Sequence, residues 1–342
     1  MTSFRVDVRP WLAAPLLVAA LAAPGSAGAS SIVYVKGGDI WRASPGGARK
    51  EIVVRARGAT TFSAVTQDDR GRLYAVQAPS RRWLRFSSSG RRVGRAFNTA
   101  GAGLRLHYDP AHNLPGFAGP VDAQASSGGD LIASWGTLQL LDHVDPAAIP
   151  PKPKYFTQDY VGLNVTRSTR DDDRAQGLPS NDLAWPSFLR DGTVIAGAFG
   201  NLLKGYGIWY FRPGGADVRF WFGPTDNTLR LANPEVTRKG DLIALTTDRA
   251  NPVSTDDDVV VGHLTGPPPA APDRDCYWAS PNGTVSGLTW SPDGTTLAWT
   301  DRVGVWTARF TVPAQTGQAC LVPQRHLLAR NATSPDWSPA PT

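Results

Sequence analysis

Residues 287–310 carry a clear alternation of apolar and polar positions, in the stretch GLTWSPDGTTLAWTDRVGVWTARF. A Pro-Asp-Gly turn sequence separates two alternating segments, residues 288–291 and 295–300, and a third segment follows at residues 304–310. Because glycine accepts a positive φ without a Cβ clash, Asp-Gly between β-prone segments is a strong hairpin signal. The pattern therefore predicts three short antiparallel strands, which cannot bury their apolar face without further copies of the unit.

The same pattern recurs along the chain, with one glycine in the turn of each copy. The turn glycines are Gly71, Gly129, Gly192, Gly240 and Gly294, which are 58, 63, 48 and 54 residues apart. A period of roughly 50 residues with several short strands per unit is typical of a β-propeller. Such turns also arise by chance in a chain with 35 Gly and 29 Pro, but five copies in succession favour a true repeat.

A sixth unit is divided between the two ends of the chain. Residues 334–339 reproduce the opening of the repeat, and residues 32–41 reproduce the remainder. We therefore expect an all-β, six-bladed β-propeller of four-stranded antiparallel blades, closed by pairing of the N- and C-terminal segments in one blade. Closure also removes exposed sheet edges.

The repeat core, Trp-Ser-Pro-Asp-Gly at residues 290–294 and its partner at residues 185–192, resembles that of the six-bladed TolB-like β-propeller family. The resemblance implies one propeller domain over residues 30–342. We recognise no accessory domain of the kind that the periplasmic Tol protein carries, so its role in the Tol-Pal system is not implied. The motif residues with expected structural roles are Trp185, Asp191, Gly192, Gly240, Trp290, Pro292, Asp293, Gly294 and Trp337.

Tryptophans recur at two positions of the repeat. The first set is Trp185, Trp290 and Trp337, and the second set, one strand later, is Trp41, Trp209 and Trp306. A large aromatic side chain at a repeated position is explained more simply by packing between blades than by a ligand platform. We therefore expect both sets in the core.

The first 29 residues are typical of a cleaved secretory signal peptide. Residues 12–23 are apolar but too short to span a bilayer, and Ala27-Gly28-Ala29 supplies the small residues that a signal peptidase needs. A buried N-terminal helix is the alternative, but Pro15 and Pro24 disfavour it. No later segment is long and apolar enough to span a membrane, so we expect residues 30–342 to be secreted or periplasmic.

The formal charge of the chain is +6, with 35 Lys and Arg against 29 Asp and Glu. Basic residues are scattered, apart from the pairs Arg81-Arg82 and Arg91-Arg92. An exported basic protein meets an anionic envelope component or an acidic protein more readily than nucleic acid, although the charge can also serve solubility alone. We expect a monomer that binds a protein or an anionic envelope component, and no nucleic acid.

The chain has two cysteines, Cys276 and Cys320. In an oxidising compartment two cysteines favour a disulfide, with two separate buried thiols as the alternative. This bridge would enclose the stretch at residues 287–310.

Motifs for enzymatic chemistry are absent from the sequence: there is no Gly-X-Ser-X-Gly, His-Glu-X-X-His, phosphate-binding loop or Cys-X-X-Cys. His107, Asp109 and His112 are weak metal candidates, because their spacing matches no established metal motif. Two aspartate triplets, residues 171–173 and 256–258, lack the spacing of a calcium loop. We expect no cofactor.

Residues 143–182, 251–258 and 266–275 interrupt the repeat and are predicted to be long loops, either binding loops or unconstrained surface. The sequence favours a non-enzymatic, exported propeller that acts as a binding or protein-interaction scaffold in the cell envelope or outside the cell. The alternative is a hydrolase or lyase that acts on an envelope polymer or a small secreted substrate, with its site at the channel mouth. A propeller without a ligand is a third possibility.

Overall fold

The computed structural model describes most of the chain from residue 30 onward. The described residues are 30–78, 82–96, 115–125, 131–141, 144–145, 152–153, 157–167, 183–189, 191–198, 207–212, 218–224, 229–249, 258–311, 318–322 and 324–342. The signal peptide predicted at residues 1–29 lies outside them.

All regular elements within these ranges are β-strands, because segments of alternating apolar and polar residues are separated by turns rich in Gly, Pro and Asp. The strands are β1 Ser31–Lys36, β2 Asp39–Ala43, β3 Lys50–Val54, β4 Thr61–Gln67, β5 Leu73–Ala78, β6 Arg82–Phe86, β7 Pro115–Ala125, β8 Leu131–Leu141, β9 Val144–Asp145, β10 Lys152–Pro153, β11 Thr157–Arg167, β12 Leu183–Phe188, β13 Val194–Ala198, β14 Ile208–Phe211, β15 Arg219–Phe222, β16 Leu229–Val236, β17 Leu242–Arg249, β18 Asp258–His263, β19 Asp273–Ala279, β20 Ser286–Trp290, β21 Thr296–Thr300, β22 Gly304–Arg309, β23 Gln318–Ala319, β24 Arg325–Arg330 and β25 Ala332–Ser338.

Five small sheets form the blades of a propeller. Blade 1 is β25-β1-β2-β3, blade 2 is β4-β5-β6, blade 3 is β12-β13-β14-β15, blade 4 is β16-β17-β18-β19-β23 and blade 5 is β20-β21-β22-β24. Their innermost strands contact one another in turn, from β12 through β16, β20 and β25 to β4. The predicted all-β propeller of small antiparallel sheets is therefore confirmed.

The described part of the chain has five blades, not the six that were predicted. Between blades 2 and 3 lies a three-stranded sheet, β11-β8-β7, whose strands are each 11 residues long. Residues 131–141 contain no Pro, Asp or Asn that would end a strand after five or six residues, so β8 continues to roughly twice the length of a blade strand. The prediction of one long loop at residues 143–182 is also wrong, since β11 lies within it.

The two ends of the described chain close blade 1. In this blade β25 pairs with β1 in antiparallel register, with Ile32 opposite Trp337 and Ser31 opposite Ser338. The predicted closure by the terminal segments is confirmed.

Four of the five predicted turn glycines adopt the left-handed conformation. Gly71, Gly192, Gly240 and Gly294 have φ of 72°, 83°, 74° and 74°. Each glycine N–H donates to the carbonyl three residues earlier, at the end of the innermost strand. Gly129 lies outside the described residues.

Aspartate side chains stabilise two of these turns. Asp191 Oδ1 accepts a hydrogen bond from Thr193 N at 2.9 Å, and Asp293 Oδ1 accepts one from Thr295 N at 3.1 Å. Pro292 is half-buried beside Asp293, in the turn between β20 and β21. These contacts give a physical reason for the Pro-Asp-Gly sequence, because Pro fixes φ at a value that the turn requires and the Asp side chain accepts hydrogen bonds from backbone N–H groups.

Trp290 and Trp337 are buried between blades, as predicted, but Trp185 does not share their position. Counted back from the turn, the residue of β12 that matches Trp290 and Trp337 is Phe188. Trp185 stands three residues earlier and is half-buried. The prediction was wrong because the repeats were aligned on tryptophan rather than on the turn glycine.

The second tryptophan set recurs on the third strand of blades 1, 3 and 5, and each member is half-buried. Trp41 and Trp306 pack against the apolar cores of blades 1 and 5, as predicted. Cations lie over both rings, with Lys36 Nζ 5.7 Å from the Trp41 centroid and Arg325 Cζ 5.8 Å from that of Trp306. Trp209 instead packs edge-on against Phe220.

Cys276 and Cys320 form the predicted disulfide, with a Cα–Cα distance of 4.9 Å. Cys276 lies on β19, and the bridge brings β23 against β19 as a parallel fifth strand of blade 4. Because the chain between the two cysteines forms most of blade 5, the bridge links the last two blades.

Replacing both cysteines, as C276A/C320A, is expected to lower the free energy of unfolding by about 4 kcal/mol, since the bridge closes a loop of 44 residues in the unfolded chain. Denaturant unfolding followed by tryptophan fluorescence measures the loss. Reduction of the wild-type protein serves as the control and should have the same effect. A loss below about 1 kcal/mol would contradict the expected role.

Gly240→Ala is expected to destabilise the protein by about 1 to 2 kcal/mol, because alanine at a φ of 74° meets the Cβ clash of the left-handed region. An added Cβ meets no atom within 4 Å at this position, so only backbone strain is introduced. Gly46→Ala is the matched control, since Gly46 has equal space and no positive φ. Equal melting temperatures for the two variants would refute the turn assignment.

Candidate functional site

The innermost strands of four blades carry a β-bulge at the same level. In each bulge two consecutive residues oppose one residue of the adjacent strand, and the first adopts a φ between 47° and 59°. The pairs are Trp185-Pro186 in β12, Asn233-Pro234 in β16, Gly287-Leu288 in β20 and Ser334-Pro335 in β25. Residues from all four bulges line one cavity of about 30 Å³. Bulges twist a strand and redirect its side chains, so the repeat builds one site where the four strands meet.

Buried polar side chains follow these bulges. Counted from the turn, the equivalent residues of the five innermost strands form what we call the axial ring: Thr66, Ser187, Glu235, Thr289 and Asp336. Each is less than 9 % exposed, and Glu235 and Asp336 both line the cavity. Buried polar groups require hydrogen-bond partners, so the ring must be satisfied from neighbouring blades.

Glu235 connects blade 4 to both of its neighbours. Its carboxylate accepts a hydrogen bond from Ser187 Oγ of blade 3, at 2.6 Å. Its backbone carbonyl accepts one from Trp290 Nε1 of blade 5, at 3.1 Å. The same residue thus serves two blade boundaries.

Asp336 and Thr289 connect the blades on the other side of the ring. Thr289 Oγ1 of blade 5 accepts a hydrogen bond from Trp337 N of blade 1, at 3.1 Å. Asp336 Oδ2 of blade 1 accepts from Thr66 Oγ1 and from Gln67 N of blade 2, both at 2.6 Å. Every boundary from blade 3 round to blade 2 is therefore crossed by a hydrogen bond of the axial ring.

Burial raises the pKa of the Asp336 carboxyl above its usual range. The hydrogen bonds from Thr66 and Gln67 and the positive charge of Arg238 lower the pKa, but by less than burial raises it. A carboxyl in a low-dielectric site favours its neutral form, because the charged form loses its hydration.

An ion pair crosses the propeller axis at the turn end of the innermost strands. Arg238, in the first turn of blade 4, makes a two-pronged contact with the Asp69 carboxylate in the first turn of blade 2, with Nη1 to Oδ2 at 2.5 Å. Blades 1 and 5 lie between these two on one side of the ring, so the pair spans it rather than joining neighbours. A bidentate guanidinium–carboxylate contact has fixed geometry, so it holds the first turns of blades 2 and 4 together.

The axial ring was not identified from the sequence, although a signal was present. Thr66, Ser187, Glu235 and Thr289 each stand five residues before the turn glycine of their strand. Aligning the repeats on glycine would have revealed a polar residue at this position in every innermost strand that has such a turn. Asp336 has no glycine after it, and only the pairing of β25 with β1 places it.

The candidates that the sequence suggested for metal binding lie outside the described residues or at their edge. His107, Asp109 and His112 lie outside the described residues, as do residues 171–173 and 256–257. Within the described ranges, no three His, Cys, Asp or Glu side chains form a cluster that could hold a metal ion. Chemically, the axial ring offers two carboxylates and three hydroxyls that already bond across blade boundaries, beside space for one or two water molecules.

No helix in the described part of the chain is long and apolar enough to cross a membrane.

Comparison with known proteins identifies relatives by structure only. No protein-family model matches the chain, and no curated protein matches it. The structure of TolB from Acinetobacter baumannii is similar with a TM-score of 0.53 and 14 % identity, over 92 % of this chain and 67 % of that one. A putative 6-phosphogluconolactonase from Bacteroides fragilis is similar with a TM-score of 0.50 and 10 % identity, over 92 % of this chain and 99 % of that one. An oligogalacturonate lyase in complex with manganese has a TM-score of 0.48 and 13 % identity, over 79 % of this chain and 68 % of that one.

The similarity to TolB shows the class of fold: a TolB-like β-propeller. Identities this low show the fold alone, because propellers host many unrelated activities.

Asp336→Asn is expected to change how stability depends on pH. A carboxyl with a raised folded-state pKa contributes most stability below the unfolded pKa of about 3.9, and this contribution falls as the pH rises toward the folded-state value. The variant keeps an acceptor oxygen but no charge. Its free energy of unfolding should therefore rise relative to wild type as the pH rises above about 4, by about 1.4 kcal/mol for each tenfold difference between the folded-state and unfolded-state proton dissociation constants. If the free energies of unfolding of wild type and variant, measured by denaturant unfolding, change in parallel with pH, the raised pKa of Asp336 is contradicted.

Proposed function

We propose that this chain is an exported propeller that acts as a binding or protein-interaction scaffold in the cell envelope or outside the cell. The proposal takes residues 1–29 as a cleaved signal peptide and residues 30–342 as a single propeller domain. The disulfide between Cys276 and Cys320 supports an oxidising compartment, since such bonds are rare in the reducing cytosol. The partner is a protein or an anionic envelope component, and the scaffold is a monomer.

The observation that carries the proposal is the contrast between the axial site and the outer surface. The axial ring bonds from blade to blade and leaves a cavity of about 30 Å³, which is too small for a substrate. Two larger cavities, of about 870 and 470 Å³, lie instead at the seams of blade 1 with blades 5 and 2. Space of ligand size is therefore available at the blade seams, where a scaffold would bind its partner.

One observation favours the alternative, a hydrolase or lyase. Glu235 and Asp336 come from different blades and line the same cavity, as expected for a site without a linear motif. Paired carboxylates can act as general acid and base. Both already accept hydrogen bonds across blade boundaries, however, which gives them a structural role without any substrate. We therefore rank the enzyme second.

The test is to mix purified residues 30–342 with an insoluble anionic wall polysaccharide and with a neutral one of similar backbone. The scaffold should sediment with the anionic polymer and release no soluble fragments, measured by mass spectrometry of the supernatant. Glu235→Gln should bind equally well.

Release of fragments by the wild type, abolished in Glu235→Gln, would replace the scaffold by the enzyme. If the wild type neither sediments with the anionic polymer nor releases fragments, recognition of an anionic polymer is overturned. Arg309→Ala removes one exposed charge from blade 5 and is the control for a general effect of net charge on sedimentation.

A further inference from the structure

The seam between blades 1 and 2 holds a buried arginine whose charge is poorly compensated. Arg42, on β2, is 7 % exposed. Its Nη2 donates to the Ser88 carbonyl, and its Nη1 lies 3.6 Å from Glu51 Oε1. Its Nε is buried and has no hydrogen-bond partner among the described residues. A buried polar N–H without a partner is costly, so it indicates a missing acceptor.

Glu51 does not supply full compensation. The side chain of Glu51 is 61 % exposed, and water screens a contact of this length. Burial lowers the pKa of the Arg42 guanidinium, and Glu51 raises it by less. Glu51 therefore compensates the charge of the largely buried Arg42 side chain only in part.

Arg42 lines a cavity of about 470 Å³ that is open to solvent. A second arginine, Arg70, lines the same cavity and is exposed, as are Ser88 and Ser89. A volume of this size accommodates a small molecule such as a sugar unit rather than a polymer chain or a bare ion. The cavity thus combines two guanidinium groups, one of them buried, with hydroxyls and room for a ligand.

The surroundings extend the positive charge. Ser88 and Ser89 lie in the turn closed by the hydrogen bond from Ser87 N to the Arg91 carbonyl. Arg91 and Arg92 follow in this turn and are exposed, so a pair of adjacent arginines lies close to the cavity. A concentration of one sign of charge around a cleft raises the local concentration of oppositely charged ligands.

We propose that this seam binds the anionic group, a phosphate or a carboxylate, of a small sugar-sized ligand. The guanidinium groups of Arg42 and Arg70 donate to the anion, because guanidinium groups match both oxyanions with paired hydrogen bonds. The Ser88 hydroxyl supplies a further donor. The inference deepens the proposed function and rests on it, since it names the chemistry that an envelope ligand would present.

Isothermal titration calorimetry of residues 30–342 at low salt tests the site with four probes: inorganic phosphate, glucose 6-phosphate, galacturonate and glucose. The wild type should bind glucose 6-phosphate or galacturonate and should not bind glucose. A preference between these two sugars identifies phosphate or carboxylate as the anion. Binding of inorganic phosphate with equal affinity would show that the sugar makes no contact and would overturn the sugar-sized ligand.

Arg70→Ala should weaken binding of the anionic sugar at least tenfold, because it removes one of the two guanidinium groups. Arg70 is exposed, so this variant should keep the wild-type melting temperature. Arg42→Lys retains the charge but lacks the paired donors of a guanidinium, and it should also weaken binding at least tenfold if it folds. Arg309→Ala is the matched control and should bind as the wild type does.

Three results would overturn the proposal: no binding of any anion by the wild type, unchanged binding in Arg70→Ala, or an equal loss in Arg309→Ala. Sedimentation with the anionic polysaccharide separates this failure from failure of the scaffold. If Arg70→Ala still binds the polymer, the proposed scaffold function stands, but the seam is rejected as the binding site. If the wild type binds the anionic sugar but not the polymer, and Arg70→Ala loses the sugar, the result supports the seam as a binding site and rejects the polymer as the ligand of the scaffold.

Discussion

The structure depends on hydrogen bonds that the innermost strands make with one another around the axis. Among the described residues, no sheet pairing joins the innermost strand of one blade to that of the next, so these strands are connected mainly by side-chain hydrogen bonds and by apolar packing. Ser187 and Glu235 connect blades 3 and 4, and Asp336 and Thr66 connect blades 1 and 2. Because these groups are buried, an unpaired member would carry the full desolvation cost, and the ring is stable only when each partner is present.

Closure of the propeller follows from the same constraint. β25 supplies the innermost strand of blade 1 from the end of the chain, and it carries both Asp336 and Trp337. Asp336 bonds to blade 2, while the backbone of Trp337 donates to blade 5. One short strand therefore links three blades. The disulfide acts on the adjacent arc, where it holds the segment that connects β22 and β24 of blade 5 against β19 of blade 4.

The arrangement divides structural and recognition roles between two parts of the molecule. The axial carboxylates hold blades together in little more than the space of a water molecule. The seams of blade 1 offer larger cavities, and one contains Arg42 with an unsatisfied N–H. A buried guanidinium whose charge is only partly compensated contributes little to folding, whereas it has a clear use in holding an anion.

The sequence by itself determined the class of fold, the turn glycines, the terminal closure and the cysteine pair. These features depend on local physics: strand periodicity, positive φ at glycine, and the chemistry of thiols outside the cytosol. Only the tertiary structure decided the number of blades and the position of Trp185, since both depend on strand length and on register. It also decided the axial ring and the Arg42 seam, because their residues are far apart in the chain and meet only when the blades close around the axis.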